Sequence, residues 1–114
     1  MIGIFLDDER NPEDVTWLQY DKDVVWSVVR TKVQFDELVK LTSLLGQTFV
    51  VSFDHDIQDF KDGVEQTGYD CLKSLVDFCL DNEKPLPVCF FHTQNPVGKS
   101  NMVSYYENAK KHLI

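Results

Sequence analysis

The sequence has little that would suit a membrane, a secretory route or long nucleic acid. No stretch approaches the roughly 18 uninterrupted apolar residues of a spanning helix. The N-terminus, MIGIFLDDER, has no basic segment ahead of its apolar run, so no leader is expected. Basic residues are few: 11 Lys and Arg stand against 19 Asp and Glu, a formal net charge of −8. No Lys/Arg cluster offsets that charge, which argues against long duplex nucleic acid. Small anions carried with a metal ion, or a nucleic-acid end, remain as partners. The three cysteines, Cys71, Cys79 and Cys89, lack C-x-x-C spacing and lie in apolar patterns, so reduced core thiols and a cytoplasmic setting are expected. No repeat, linker or low-complexity segment interrupts the chain. With 114 residues, 43% of them hydrophobic, residues 1–114 are read as one α/β domain with a sizeable core.

Four short apolar runs predict strands: residues 2–6 (IGIFL), 24–29 (VVWSVV), 48–53 (TFVVSF) and 87–91 (PVCFF). Nearly continuous apolar runs suit parallel strands covered on both faces. Thr31-Lys-Val-Gln34 has capping-box spacing, and Phe35, Leu38, Val39, Leu41 and Leu45 supply a helical stripe ending at Gly46. A second helix is expected from near Thr67, carrying Leu72, Leu75, Val76, Cys79 and Leu80 and stopping before Pro85. Asn95-Pro96 reads as an N-cap with proline in the first turn, followed by Met102, Tyr105, Tyr106, Ala109 and Leu113 at helical spacing. Between the first two strands, Asn11-Pro12-Glu13-Asp14 can begin only a turn or two of helix, through Leu18. Residues 57–66 (IQDFKDGVEQ) read as a polar loop overhanging the third strand. The order β-β-α-β-α-β-α predicts a small three-layer fold. Its parallel sheet has four strands in the order 2-1-3-4, helices on both faces and a reduced first crossover helix.

Three of these strands end in ionisable residues. The first runs into Asp7-Asp8, the third into Asp54-His55-Asp56 and the fourth into His92-Thr93. Right-handed crossovers bring all three ends to one edge, where open parallel sheets bind ligands. Any one of these acids alone reads as a cap. Together, Asp7, Asp8, Asp54 and Asp56 are a crowded carboxylate set that invites Mg²⁺ or Mn²⁺. His55 and His92 could serve as general base and general acid, or ligate a softer metal, whereas His112 reads as a helix-end surface residue. The last helix adds an anion site through its N-terminus, with Lys99 in its first turn. Arg10 beside the acidic pair could bind a phosphate oxygen or simply neutralise its neighbours. Arg10, Thr93, Asn95 and Lys99 are thus the candidate phosphate contacts.

Two lookalikes fail. Thr93-Gln-Asn-Pro-Val-Gly-Lys-Ser100 sits where a P-loop would, but Thr93 replaces the first glycine and Pro96 removes a cradle N–H. Two-histidine phosphoesterases carry paired H-x-[S/T] motifs, which His55-Asp-Ile and His92-Thr-Gln do not match.

The pattern resembles receiver domains of two-component signalling, with Asp7-Asp8, Asp54 and Thr93 in corresponding places. It departs from them in its stunted first crossover and in lacking the fifth strand that brings a lysine to their site. The sequence is more similar to the cyclic-phosphate processing receiver domains, a divergent group. Their motifs, F-L-D-D-E-R-x-P, S-F-D-H-D, T-G-Y-D and H-S-x-N-P-x-G, appear in order as FLDDERNP (5–12), SFDHD (52–56), TGYD (67–70) and HTQNPVG (92–98). Thr93 stands in place of the serine.

The resemblance implies a receiver/flavodoxin-like fold acting on cyclic phosphates, such as 2′,3′-cyclic RNA ends or cyclic nucleotides. As a metal-dependent phosphoesterase, Asp8 and Asp54, with Asp7 or Asp56, would hold the metal. Asp54, His55 and His92 would carry the chemistry, the two imidazoles shuttling protons. A noncatalytic module that sequesters such ligands, and a signalling domain phosphorylated on Asp54, are the alternative readings. Substrate, metal and oligomeric state stay open.

Overall fold

The computed structural model describes residues 1–112. Its main sheet is built from β1 (Ile2–Leu6), β2 (Val25–Val29), β3 (Phe49–Phe53) and β6 (Val88–Phe91), all parallel, in the order β2-β1-β3-β6. This is the expected receiver/flavodoxin-like arrangement, with strand boundaries trimmed by one residue at three N-terminal ends. The first crossover carries a single 3-10 turn, Pro12–Asp14, and does not continue to Leu18. The Asp14 carboxylate accepts from the Asn11 N–H at 2.8 Å, closing a capping box on that short turn.

The segment read as a polar loop contains a hairpin, β4 (Asp59–Lys61) and β5 (Val64–Gln66), antiparallel to each other and separate from the main sheet. Asp62 and Gly63 both have positive φ (53° and 78°), the conformation an Asp-Gly hairpin turn requires.

Helices α1 (Lys32–Leu44), α2 (Gly68–Asp81) and α3 (Pro96–His112) start at the predicted caps. The Thr31 hydroxyl accepts from Gln34 N, and Thr67 and Asp70 form a full capping box. Asn95 Oδ1 accepts from Gly98 N at 3.0 Å, capping α3. All three helices pack on one face of the sheet. Phe35 and Val39 of α1, Leu72, Leu75 and Val76 of α2, and Met102 and Tyr106 of α3 share a core with Ile4, Leu6, Val29, Val51, Phe53 and Phe91. Those strand residues occupy one side of the pleat by register.

Helices were expected on both faces; on the other face the irregular crossover 7–24 takes the place of a helix. There Phe5 packs edge-on against Trp26, and the Tyr20 ring lies 4.8 Å from Trp26 and 5.4 Å from Phe90. One missing helix also explains why that face of β2 and β6 is partly open: Val28 and Val88, which lie on it by register, are exposed. In the helices, Leu41, Leu45 and Leu80 of the predicted stripes face solvent, because each helix buries a narrower stripe against a single layer. Leu113 lies outside the described residues. Among the described residues the cysteines are free, with Cys71 and Cys79 buried and Cys89 half-buried. Burial pushes all three thiols up from their ordinary value. No described helix is long and apolar enough to cross a membrane.

Candidate metal and phosphate site

Register puts the strand ends side by side. Leu6, Phe53 and Phe91 are neighbours in the ladder, so the next residues, Asp7, Asp54 and His92, form one row beyond the sheet. The ladder extends into that row: Asp54 N donates to Leu6 O at 2.9 Å, His92 N to Phe53 O at 3.0 Å, and Asp7 N to Val29 O at 3.2 Å. One ligand atom from each of Asp7, Asp54 and His92 lies within 4.8 Å of the others. Above them opens a cleft of about 240 Å³, walled on its acidic side by Asp7, Asp8, Glu9, Asp54 and Asp56. Arg10, Gln58, Thr93, Gln94 and Asn95 complete its lining.

Asp7 is wholly buried and its carboxylate is fully engaged. Oδ1 accepts from the backbone N–H groups of Glu9 (2.9 Å) and Arg10 (2.8 Å). Oδ2 lies 3.0 Å from His92 Nε2 and 3.5 Å from Arg10 Nη1. Burial alone would raise the Asp7 carboxyl. The His92 hydrogen bond and the two backbone donors outweigh it and hold the group at about 2. The other two acids are the reverse. Asp54 is raised by burial and then by the charge of Asp7, and Asp8 is raised chiefly by burial.

These directions bear on whether a cation suits the site. Asp8 and Asp54 both line the cleft and their carboxyls are raised, although Asp8 stands outside the close Asp7–Asp54–His92 group. An all-oxygen donor set of that kind fits Mg²⁺ or Mn²⁺. Asp7 has spent its acceptor positions inside the protein, so it stands behind the cleft as an anchor for the Asp7–Arg10 turn. Asp56 is lowered by hydrogen bonds from Asn95 Nδ2 (3.0 Å) and the His55 ring (2.9 Å).

The two histidines sit in different surroundings. His92 is completely buried and stacked on Phe5 with ring centroids 4.4 Å apart. Its Nδ1 meets Ser52 Oγ at 2.7 Å and its Nε2 meets Asp7, so it touches the cleft only through Asp7. His55 is partly exposed beside the cleft, with Nδ1 on Asp56 and its ring packed against Gly98. His112 ends the described part of α3, exposed among Lys110 and Lys111.

Arg10 bridges the rim: Nη2 donates to Gln94 Oε1 at 3.2 Å, and the guanidinium lies 5.3 Å over the Trp17 ring. Lys99 does not line the cleft. Its side chain is exposed and its backbone N–H closes the first turn of α3 on Asn95 O.

Several contributors escaped the sequence reading. Arg30 Nη1 donates to the carbonyls of Asp7 and Arg10, and Nη2 to Asn11 Oδ1, clamping the turn after β1. Trp17 Nε1 donates to His92 O at 2.9 Å. Gly68, within the T-G-Y-D motif, lets α2 begin against the backbone of β3's end: a Cβ there would overlap Asp54 O. Its N–H donates to His55 O at 2.7 Å. The glycine in that motif was the available signal. Arg30 and Trp17 gave none.

The model of the cyclic-phosphate processing receiver domain matches residues 2–108. The chain therefore belongs to that family, as the four motifs led us to expect. No curated protein and no solved structure matches it.

Proposed function

We propose that the protein is a divalent-cation-dependent phosphoesterase that opens cyclic phosphates, either 2′,3′-cyclic RNA ends, as in RNA repair, or cyclic nucleotides. The observation that carries this reading is that Asp8 and Asp54, both raised, line one cleft with the His55–Asp56 pair at its side. The cleft's 240 Å³ is below the usual size of a pocket enclosing a whole nucleotide, roughly 300 Å³ or more. It suits the phosphate, with the remainder of the ligand outside.

Asp8 and Asp54 would hold Mg²⁺ or Mn²⁺, with Asp7 and Asp56 as the supporting acids. A bound cation supplies Lewis-acid polarisation of a phosphoryl oxygen. Arg10, Thr93 and Asn95 would orient the nonbridging oxygens, and Lys99 with the α3 N-terminus would attract the anion from outside. In ring opening, water adds to phosphorus, one ring P–O bond breaks, and the departing alkoxide takes a proton. His55 is suited to both transfers: Asp56 holds Nδ1 and leaves Nε2 free to accept from water and donate to the leaving oxygen. His92 would contribute through its hold on Asp7.

The test incubates the protein and Mg²⁺ or Mn²⁺ with a 2′,3′-cyclic nucleotide and with a 3′,5′-cyclic dinucleotide. Ring-opened monophosphate is expected. Tight binding without product would identify a sequestering module. Covalent phosphate on Asp54 after treatment with a small phosphodonor would identify a signalling receiver.

A further inference from the structure

The crossover 7–24 has no full helix to hold it on the sheet, yet its two ends are joined through the interior. Tyr20, near its end, has its hydroxyl 2.6 Å from Ser52 Oγ. Ser52 Oγ is 2.7 Å from His92 Nδ1, and His92 Nε2 is 3.0 Å from Asp7 Oδ2 at the crossover's beginning. Ser52 and His92 are completely buried, so solvent offers them no substitute partners.

We propose that Tyr20 and Ser52 form with His92 a buried, one-directional hydrogen-bond relay that fixes His92 as the Nε2–H tautomer donating to Asp7. Through Asp7 the relay positions the turn that presents Asp8 and Arg10 to the cleft.

The direction follows from counting donors. The Asp7 carboxylate accepts from the backbone N–H groups of Glu9 and Arg10 and from the Arg10 guanidinium, so it serves as an acceptor and the bond at His92 Nε2 needs a proton on that nitrogen. A neutral imidazole has one N–H, which leaves Nδ1 an acceptor. Ser52 must then donate to Nδ1, and with its hydrogen spent its oxygen accepts from Tyr20. Burial raises the Tyr20 phenol, which keeps that donor protonated. The opposite tautomer would aim a lone pair at a buried carboxylate. Packing of the Tyr20 ring against Trp26 and Phe90 fixes where the chain starts. At its far end, Asp7 Oδ1 receives the N–H groups of Glu9 and Arg10, so a shift of Asp7 moves the residues on either side of Glu9 with it. Tyr20 and Ser52 are positioning residues: neither lines the cleft.

The relay is independent of the proposed chemistry; its effect on a cation rests on that reading. Nitrogen-15 NMR of the histidine side chains decides the first. In the wild type, His92 should show a protonated Nε2 and a hydrogen-bonded, unprotonated Nδ1. Tyr20→Phe, which keeps the ring, should move the Nδ1 resonance toward that of a weaker hydrogen bond. A doubly protonated ring, an Nδ1–H tautomer, or an Nδ1 signal indifferent to Tyr20→Phe would overturn the relay. Titration with Mn²⁺ decides the second. Ser52→Ala should weaken binding about 10-fold, in the range seen when hydrogen-bond partners behind metal ligands are removed, and Tyr20→Phe less. Wild-type affinity in both variants would overturn the positioning role. A wild type that binds neither Mn²⁺ nor Mg²⁺ would instead overturn the proposed function, and with it the relay's role at a cation site.

Discussion

Gly98 makes room for His55: a Cβ on residue 98 would stand 2.5 Å from Cγ and 2.6 Å from Cδ2 of that imidazole. The first turn of the last helix thus forms the surface against which the proposed proton-transfer ring rests. Glycine there belongs to the site as much as to the helix.

Gly98→Ala should therefore displace His55 from Asp56 at some cost in stability, since the obstructed atoms include Cγ and, at 3.0 Å, Cβ, close to the His55 backbone. Turnover of a cyclic phosphate should fall on the scale of lost general acid–base help, about 10²- to 10⁴-fold, as in His55→Ala. Mn²⁺ affinity should be little changed. A steady-state assay beside a metal titration checks both halves. Full turnover in Gly98→Ala and His55→Ala would remove His55 from the mechanism.

At Gly68 the obstruction is backbone, the carbonyl of Asp54, and backbone cannot swing aside. Gly68→Ala should cost about 1–3 kcal/mol of stability, the usual penalty for an overpacked interior. Urea unfolding with an unchanged m-value would measure it. It should also weaken Mn²⁺ binding, because Asp54 must move with its own carbonyl.

Much of this site was legible because apolar runs of strand length ended in acids, and parallel register then placed residues 7, 54 and 92 in one row. The caps at Thr31, Thr67 and Asn95 were equally legible, since each is a local pattern. The hairpin at 59–66 was missed although Asp62-Gly63 announces such a turn; its polar composition was read as loop. What stayed hidden is long-range: Ser52 to Tyr20 is 32 residues, Ser52 to His92 is 40, and Asp7 to His92 is 85. A serine inside S-F-D-H-D looks like any strand residue until His92 lies beneath the site with a nitrogen to satisfy. Nor did His55 and His92 differ in the sequence. Only burial separates the ring beside the cleft from the one sealed behind Asp7.

Cation binding should stabilise the fold, because the ligands converge only in the native chain. At a free concentration 100 times Kd the gain is about 2.7 kcal/mol, readily seen as a raised Tm. Mg²⁺ or Mn²⁺ should produce that rise in the wild type and fail to do so in Asp8→Ala and in Asp54→Ala. Persistence of the shift in both variants would mean that the cation binds elsewhere.

The last prediction uses the opposite pKa directions of Asp54 and Asp7, measured in chelator so that no cation intervenes. Asp54 is raised in the folded protein by burial and by the charge of Asp7, while an unfolded aspartate titrates at about 3.9. Once pH exceeds that unfolded value, the native state holds a proton that the unfolded chain has lost. Native stability then declines with rising pH until Asp54's raised folded value is passed. Asp54→Asn removes this decline. Its stability relative to wild type should grow as pH climbs from about 4, then level off. Asp7 works the other way. Held at about 2 in the folded state, it contributes stability that is complete above its unfolded value and is lost as pH falls through the folded one. Asp7→Asn should therefore be destabilised most near neutrality and converge with wild type in strong acid. Thermal melts of the three proteins across this range would test both signs. A flat Asp54→Asn difference would mean that Asp54's ionisation is already compensated without a metal, which would remove the main support for a cation in the cleft.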